Sequence, residues 1–311
     1  ECVNQALNKY IESKRHFLCL ATPGAGKTTM AAEVVANLFK QDLIDFVLCF
    51  SPSIIISRDI CYTLESRTKM RFDGLIGSKG GSFTYQGMQS LDEEIWKLLK
   101  SHRVLAVFDE IHHCSGTTAE DANAWGEDII TKIQGYAAYT LALTGTPWRS
   151  DNTPIALAEY QGPDNHILCD YVYGLADAIK DKVCRSPQVV VTDNNDISIQ
   201  DSDGALDSFR SFSELLSKTK CPYQKIVENE TVIRHIIKQA NNKLTEIRKQ
   251  NPSAGGLVVA SSVEHALKIL NILRNELKVM AQIATYRENE PTTIINDFKE
   301  SSTPWIVSVG M

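Results

Sequence analysis

The sequence predicts an α/β fold in which helices cover both faces of a parallel β-sheet, with a smaller sheet domain after it. Three observations support this: apolar runs of strand length, helical stretches between them, and a polar loop after each run. Apolar runs without alternation are typical of strands that are buried on both faces. The four runs are Phe17–Leu20, Phe46–Phe50, Val104–Phe108 and Thr140–Leu143.

The first apolar run leads into a glycine-rich stretch, residues 21–29, that opens a predicted helix from Met30 to Phe39. Glycines let successive backbone N–H groups turn toward one anion, and the start of a helix adds partial positive charge. A lysine after such a loop reaches the β- and γ-phosphates of a nucleotide, and the next hydroxyl binds Mg²⁺. We therefore expect a nucleotide site, formed by Pro23, Gly24, Ala25, Gly26, Lys27, Thr28 and Thr29.

Two acids, Asp109 and Glu110, follow the third apolar run, and His112 comes directly after them. Beside a phosphate loop, Asp109 and Thr28 would hold Mg²⁺, while Glu110 would orient and deprotonate the attacking water. An acidic cap of a helix is the alternative interpretation. His112 is expected to connect this loop to the next one, unless it is simply a hydrogen-bonded core histidine.

Thr144 and Thr146 follow the fourth apolar run and place two hydroxyls in its loop. Taken alone, the Thr, Gly and Pro of this loop indicate only a turn. Ligands of parallel sheets bind outside the carboxyl ends of the strands. The polar loops described above all follow strands. We therefore expect them to meet at one edge of the sheet and to form one site.

The composition bounds the classes of protein that remain. The chain has 311 residues, 43% of them hydrophobic and 23% charged, which is ordinary for a folded protein of about two domains. Its net charge of −6 argues against a broadly basic nucleic-acid-binding surface but leaves a local groove open. No apolar run approaches the roughly 20 residues of a membrane span. The lack of such a run predicts no membrane partner. Eight cysteines without a Cys-x-x-Cys pair predict no zinc site. Cys19 and Cys49 lie in apolar runs, where a reduced thiol packs, and this favours a cytoplasmic protein.

Taken in order, these blocks resemble the superfamily 2 helicases, in the DExH-box branch that includes type I and type III restriction translocases and phage or bacterial repair helicases. The resemblance spans nearly the whole chain. The matching blocks, motifs I to the opening of motif V, are Ala21–Thr29, Phe50–Arg58, Thr84–Gln86, Asp109–His112, Leu143–Pro147, Gly256–Ser261 and Ile306–Met311.

The resemblance implies two recombinase-like domains. We expect an ATP-binding domain over residues 1–185, a connecting segment over 186–250, and the start of a second domain over 251–311. The connecting segment holds an acidic turn between edge strands, near residues 193–207, and a helix over 225–250. The second domain is expected to contain strand Leu257–Ala260, helix Val263–Leu277 and strand Trp305–Val309. Because the sequence begins at Glu1 and stops within motif V, we expect a fragment that lacks the arginine-rich motif VI and binds ATP better than it hydrolyses it.

The resemblance also assigns roles to single residues. Lys27, Asp109 and Glu110 would hydrolyse ATP with Mg²⁺, and His112, Thr144 and Thr146 would couple the nucleotide to the nucleic-acid track. Gln5 would recognise adenine, or else be a surface glutamine. The residues expected to contact the nucleic-acid backbone are Pro52, Ser53, Arg58, Thr84, Tyr85 and Gln86. Arg58, Arg67, Lys69 and Arg71 would border the same groove or form a solvated basic face.

The resulting hypothesis is an ATP-driven helicase or translocase on nucleic acid, with DNA favoured over RNA only by analogy to the restriction and repair branch. An ATP-gated module that binds or senses nucleic acid without unwinding it would use the same motifs. A small-molecule kinase with a phosphate loop is a further alternative. It predicts no stimulation of ATP hydrolysis by nucleic acid.

Overall fold

A computed structural model describes residues 1–12, 14–191, 197–200, 206–218 and 226–309 of the chain. In it the chain divides into two units, Glu1–Pro187 and Gln188–Met311. Each unit has its own sheet and its own hydrophobic core. Within the described residues, no helix combines the length and the apolar character that crossing a bilayer requires.

The first unit is built on a six-stranded sheet in which all pairs are parallel. All four predicted strands are present. The strands of this unit are β1 (His16–Ala21), β2 (Phe46–Ser51), β3 (Gly80–Thr84), β4 (Val104–Phe108), β5 (Tyr139–Thr144), β6 (Glu159–Gln161), β7 (His166–Leu168) and β8 (Tyr171–Tyr173). In space the large sheet runs β3-β2-β4-β5-β1-β8, while β6 and β7 form a separate antiparallel hairpin.

Helices cover both faces of this sheet. They are α1 (Cys2–Ile11), α2 (Lys27–Lys40), α3 (Ile54–Thr68), α4 (Tyr85–Met88), α5 (Glu93–Ser101), α6 (Ala124–Asp128) and α7 (Leu175–Lys180). Successive strand residues enter two different cores, as Phe17 packs in one cluster and Leu18 in the other. Both side chains are at most 2% exposed. Strands buried on both faces explain why the sequence shows continuous apolar runs. The predicted α/β fold is confirmed.

The second unit contains an antiparallel pair and a three-stranded parallel sheet ordered β11-β13-β12. Its strands are β9 (Ile197–Gln200), β10 (Leu206–Phe209), β11 (Gly256–Ala260), β12 (Ala281–Ala284) and β13 (Trp305–Val309). Its helices are α8 (Phe212–Lys218), α9 (Glu230–Gln250), α10 (Val263–Asn271) and α11 (Pro291–Glu300).

Three details differ from the sequence prediction. The long helix begins at Glu230, because the Asn229 side chain accepts hydrogen bonds from the amides of the first turn. The helix after β11 changes to a π-helical turn at Ile272–Glu276. An edge strand was expected directly before the acidic turn, but residues 189–191 there are more than 80% exposed and form no strand. The acidic turn at 193–196 and the last two residues of motif V, Gly310 and Met311, lie outside the described residues.

Candidate active site

The phosphate loop lies between β1 and α2, at the carboxyl edge of the first sheet. Gly24 and Gly26 both have a φ of +82°, a left-handed conformation that side chains with a Cβ rarely adopt. No other group lies within 4 Å of an ideal Cβ at either position, so the backbone conformation alone requires glycine. Gly26 directly precedes the first turn of α2. The free N–H groups of that turn are therefore available to an anion.

Lys27, the first residue of α2, joins the loop to the acidic pair. Its Nζ lies 3.2 Å from the Ala21 carbonyl oxygen and 3.2 Å from Glu110 Oε1. The Lys27 side chain is only 9% exposed. Two segments far apart in the sequence therefore meet through one ion pair, at the place where the sequence predicts a triphosphate.

Asp109 follows β4 directly and is buried. Burial raises the pKa of its carboxyl to about 6, and the negative charge of Glu110 adds to this effect. Its Oδ1 is buried and has no hydrogen-bond partner. Asp109 also lines a small cavity together with Thr28. A buried, unpartnered carboxylate oxygen beside a hydroxyl fits a hard divalent cation such as Mg²⁺.

The pKa of Glu110 is lowered, whereas that of its neighbour Asp109 is raised. Burial disfavours its charge, but hydrogen bonds from His112 and from the Gly145 N–H, together with the charge of Lys27, lower its pKa to about 2. Glu110 Oε2 lies 3.2 Å from the Gly145 nitrogen and 3.4 Å from His112 Nδ1. Its φ of +51° is left-handed, which is a strained conformation for glutamate. The surrounding contacts hold an ionised carboxylate in an unfavourable backbone conformation.

His112 connects this loop to the loop after β5. Its Nδ1 lies 2.9 Å from Thr144 Oγ1. The Thr144 hydroxyl donates to the Thr146 carbonyl oxygen at 2.9 Å and accepts from the Thr146 N–H at 3.0 Å. The histidine ring and the Thr144 hydroxyl therefore share a hydrogen bond whose donor depends on the histidine tautomer. The structure thus brings together the three predicted coupling residues.

Arg149 belongs to the same network, although the sequence analysis did not identify it. Its Nη1 donates to the His112 carbonyl oxygen at 2.6 Å, and its Nε and Nη2 donate to the two carboxylate oxygens of Asp151 at 3.0 and 2.6 Å. The side chain is only 17% exposed. The one sequence feature that could have pointed to Arg149 is its position two residues after Pro147. A single arginine beside a turn does not indicate which residue it will contact.

Five of the six residues expected to contact nucleic acid lie at or near the starts of α3 and α4, and the sixth, Tyr85, is buried. Ser53 Oγ accepts from the Ile56 N–H at the start of α3, and Thr84 Oγ1 accepts from the Gly87 N–H at the start of α4. Arg58 and Gln86 are exposed, and Pro52 is partly buried. Since β2 and β3 are neighbours, both helix starts lie at the same end of the sheet.

Tyr85 is placed differently from these residues. Its side chain is 1% exposed, stacks on Trp125 and donates from its hydroxyl to the Asp109 carbonyl oxygen at 2.8 Å. The aromatic ring therefore supports the acidic loop from within the domain and does not face solvent.

Two of the four basic residues expected to border the groove are paired with acids. Arg67 forms an ion pair with Glu33, and Arg71 pairs with Asp73 at 2.5 Å. Pairs this exposed contribute little to stability, and they also occupy the charges that a phosphate would use.

Gln5 lies on α1, where its Nε2 is 3.4 Å from Glu1 Oε1. The cavity beside Lys27 is lined by other side chains, which include Cys2, Tyr171 and Tyr173. The sequence analysis did not identify the two tyrosines, because the pairing of β8 with β1 could not be predicted.

A parallel sheet with a phosphate loop after β1 and an acidic pair after β4 defines the class of recombinase-like phosphate-loop domains. Residues 1–149 match the family described as type III restriction enzyme, res subunit. The resemblance predicted from the ordered motifs is confirmed.

The chain is also similar to several known proteins. An uncharacterized protein of Mycobacterium tuberculosis is 28% identical over 332 residues, which cover 99% of this chain and 52% of that protein. A candidate mitochondrial ATP-dependent helicase of Schizosaccharomyces pombe, irc3, is 24% identical over 99% of this chain and 48% of its own length. The chain therefore spans about half the length of the curated relatives it matches.

Among solved structures, a fragment of a candidate HsdR subunit of a type I restriction enzyme from Vibrio vulnificus matches with a TM-score of 0.61. It is 18% identical and aligns with 99% of this chain and 52% of that chain. At this identity the match shows a shared fold.

Proposed function

We propose that this chain is the motor part of an ATP-dependent helicase or translocase that acts on nucleic acid, with DNA favoured over RNA. The observation that carries the proposal is the contact between Lys27 Nζ and Glu110 Oε1 at 3.2 Å, beside the unpartnered Asp109 Oδ1. One cation, one ionised carboxylate and one buried carboxylate oxygen without a hydrogen-bond partner, all at a phosphate loop, suit the hydrolysis of a phosphoanhydride.

The first step is exchange of the lysine's partner. An arriving triphosphate would accept hydrogen bonds from the N–H groups at the start of α2, and Lys27 would move from Glu110 to the phosphate oxygens. Removal of Lys27 leaves Glu110 with less positive charge nearby, which raises its pKa and makes it a stronger base. Binding would thus prepare the carboxylate for proton transfer.

Asp109 and Thr28 are the residues that would hold Mg²⁺. When bound, the ion neutralises charge on the β- and γ-phosphates. Glu110 Oε1 would accept the proton of the attacking water, while Oε2 stays fixed by the Gly145 N–H. The rigid sheet edge keeps these groups in position.

Coupling to nucleic acid follows from the same contacts. A shift of Glu110 changes the position of Gly145 and, through His112, of Thr144. The helix starts capped by Ser53 and Thr84 lie along the same edge and offer backbone N–H groups to phosphates without base recognition. Such local contacts are compatible with a net charge of −6. The DNA preference rests on the family of residues 1–149.

The decisive experiment measures ATP hydrolysis and strand displacement by the full-length protein, with single- and double-stranded DNA and RNA. We expect DNA to stimulate hydrolysis, and Glu110→Gln to lower both activities by roughly 100-fold or more. Hydrolysis without displacement would support a clamp or a double-strand translocase. Phosphate transfer to a small molecule, without nucleic-acid stimulation, would overturn the proposal.

A further inference from the structure

Two cysteine thiols are in contact beside the phosphate loop. Cys2, on α1, and Cys19, on β1, have their sulfur atoms 3.7 Å apart. Both residues are buried, at 8% and 2% exposure. Cys19 lies two residues before Ala21, whose carbonyl oxygen accepts a hydrogen bond from Lys27. A bond between these sulfurs would therefore join the first helix to the strand that leads into the nucleotide site.

Small molecules have a route to both thiols. Cys2 and Cys19 line a cavity of about 220 Å³ that is also lined by Lys27, Tyr171 and Tyr173. One water occupies about 30 Å³ of the liquid, so the cavity admits an oxidant of a few atoms. Burial protects the pair from large reagents while the cavity leaves it open to small ones.

The two thiols differ in reactivity. The Cys19 thiol, hydrogen-bonded to Cys2, lowers the pKa of Cys2, whereas the same contact and burial raise the pKa of Cys19. Thiolates are the nucleophiles in cysteine oxidation. Cys2 is thus the residue that attacks first, and Cys19 is the partner that completes the bond.

We propose that Cys2 and Cys19 are a redox modification site, which hydrogen peroxide converts to a disulfide. The Cys2 thiolate attacks one peroxide oxygen, the O–O bond breaks, and Cys2 becomes a sulfenic acid as hydroxide leaves and takes up a proton to form water. The Cys19 sulfur then attacks the Cys2 sulfur, the S–O bond breaks, and a second water leaves. Two thiols and one peroxide give one disulfide and two waters.

The bond would change the nucleotide pocket. A disulfide requires its sulfurs to be about 2.05 Å apart, so bond formation draws the two side chains together from the present 3.7 Å contact. Both side chains line the cavity that Lys27 also lines, so the bond changes the wall of that cavity. The effect on nucleotide binding rests on the proposed function, whereas formation of the bond does not.

The test exposes the full-length protein to hydrogen peroxide and maps the products by mass spectrometry without reduction. We expect a cross-linked Cys2–Cys19 peptide that dithiothreitol reverses, and a rise in the melting temperature of roughly 5 °C from the closed loop. Cys2→Ser should lose both, while the distant Cys184→Ser should keep both. Cys19→Ser should also lose the cross-link and the rise in melting temperature. If this variant fails to fold, Cys2→Ser alone decides whether the disulfide forms.

Several outcomes would overturn the proposal: a Cys19–Cys169 bond, irreversible oxidation of Cys2 without cross-linking, or no reaction. Nucleotide binding is the second readout, and we expect the oxidised protein to bind ATP at least threefold more weakly. An unchanged affinity with the bond formed would refute the coupling to the pocket. Failure of the reduced protein to bind ATP would refute the proposed function and leave the disulfide standing.

Discussion

The loops after β4 and β5 differ from the loops after β2 and β3, although all four follow strands of one sheet. In the first pair, side chains contact partners more than thirty residues away, as Glu110 does with Gly145. In the second pair, Ser53 and Thr84 contact amides of their own helices, three residues ahead. The first pair therefore depends on the assembled fold, and the second depends on local structure. Substitutions in the first pair of loops should therefore have larger effects on ATP binding and hydrolysis, whereas those in the second pair should mainly lower stability by a small amount.

Loss of the lysine should have the largest effect. In Lys27→Ala the phosphate site loses its buried cation, and we expect ATP affinity to fall by roughly 100-fold or more, about 2.7 kcal/mol. Titration with a fluorescent nucleotide measures this. Lys40→Ala, at the exposed end of α2, is the matched control. Unchanged affinity in Lys27→Ala would remove the lysine from the site.

Glu110→Gln should separate binding from hydrolysis. Because the amide cannot accept the water's proton, we expect turnover to fall by roughly 100- to 1,000-fold while ATP still binds. Steady-state hydrolysis and nucleotide titration are measured on the same sample, with Glu127→Gln as control. Turnover at the wild-type rate would mean that another group activates the water.

Asp109→Asn should stabilise the protein at neutral pH in the absence of divalent cations. The folded pKa of Asp109, about 6, lies above the ordinary 3.8, so ionisation of this buried group opposes folding at higher pH. Well below pH 3.8 the carboxyl is neutral in both states, and the variant should gain nothing. Above pH 6 we expect a gain on the order of 2 kcal/mol. Urea unfolding from pH 4 to 8 tests this, and a difference independent of pH would contradict it.

Arg149→Ala should reduce coupling rather than nucleotide binding. The guanidinium holds the His112 carbonyl oxygen and both oxygens of Asp151, so its loss frees the turn that positions Glu110. We expect a roughly tenfold lower kcat with little change in ATP affinity. Arg149→Lys should recover at most part of the lost kcat, since lysine lacks the planar guanidinium that can donate to several acceptors at once. Arg287→Ala in the second unit is the control. An equal loss of kcat there would indicate a general effect.

The cap substitutions should have the smallest effects. Ser53→Ala and Thr84→Ala are each expected to cost about 1 kcal/mol of unfolding free energy and to weaken nucleic-acid binding modestly. Ser53→Asn keeps a capping oxygen and should behave like the wild type. A complete loss of nucleic-acid binding in Ser53→Ala would show that this hydroxyl does more than cap α3.

Local patterns in the sequence were enough to predict four strands of the first sheet and the meeting of the loops that follow them. Val104–Phe108 is apolar throughout because each residue enters one of two cores, and its acidic end is visible in the sequence. The phosphate loop was predictable because its glycines serve backbone conformation. These features depend on residues close together in the chain.

Features that depend on tertiary packing could not be predicted. The left-handed backbone of Glu110 is maintained by contacts with Lys27 and Gly145 that only the folded sheet brings together. Tyr85 resembles an exposed motif residue in the sequence, and its burial follows from packing against Trp125. Arg149 has no local pattern that names His112 as its target. Contacts between residues far apart in the chain leave no hydrophobic periodicity from which they could be predicted.

The ion pair between Lys27 and Glu110 has a further consequence for the working cycle under the proposed function. While the ion pair is formed, the charge of Lys27 lowers the basicity of Glu110, so a water beside this carboxylate is not activated. After hydrolysis and departure of the γ-phosphate, Lys27 loses part of its attraction to the ligand and is drawn back to Glu110. That return competes with the remaining diphosphate and favours its release, so one side-chain contact both restrains the idle enzyme and helps to reset it.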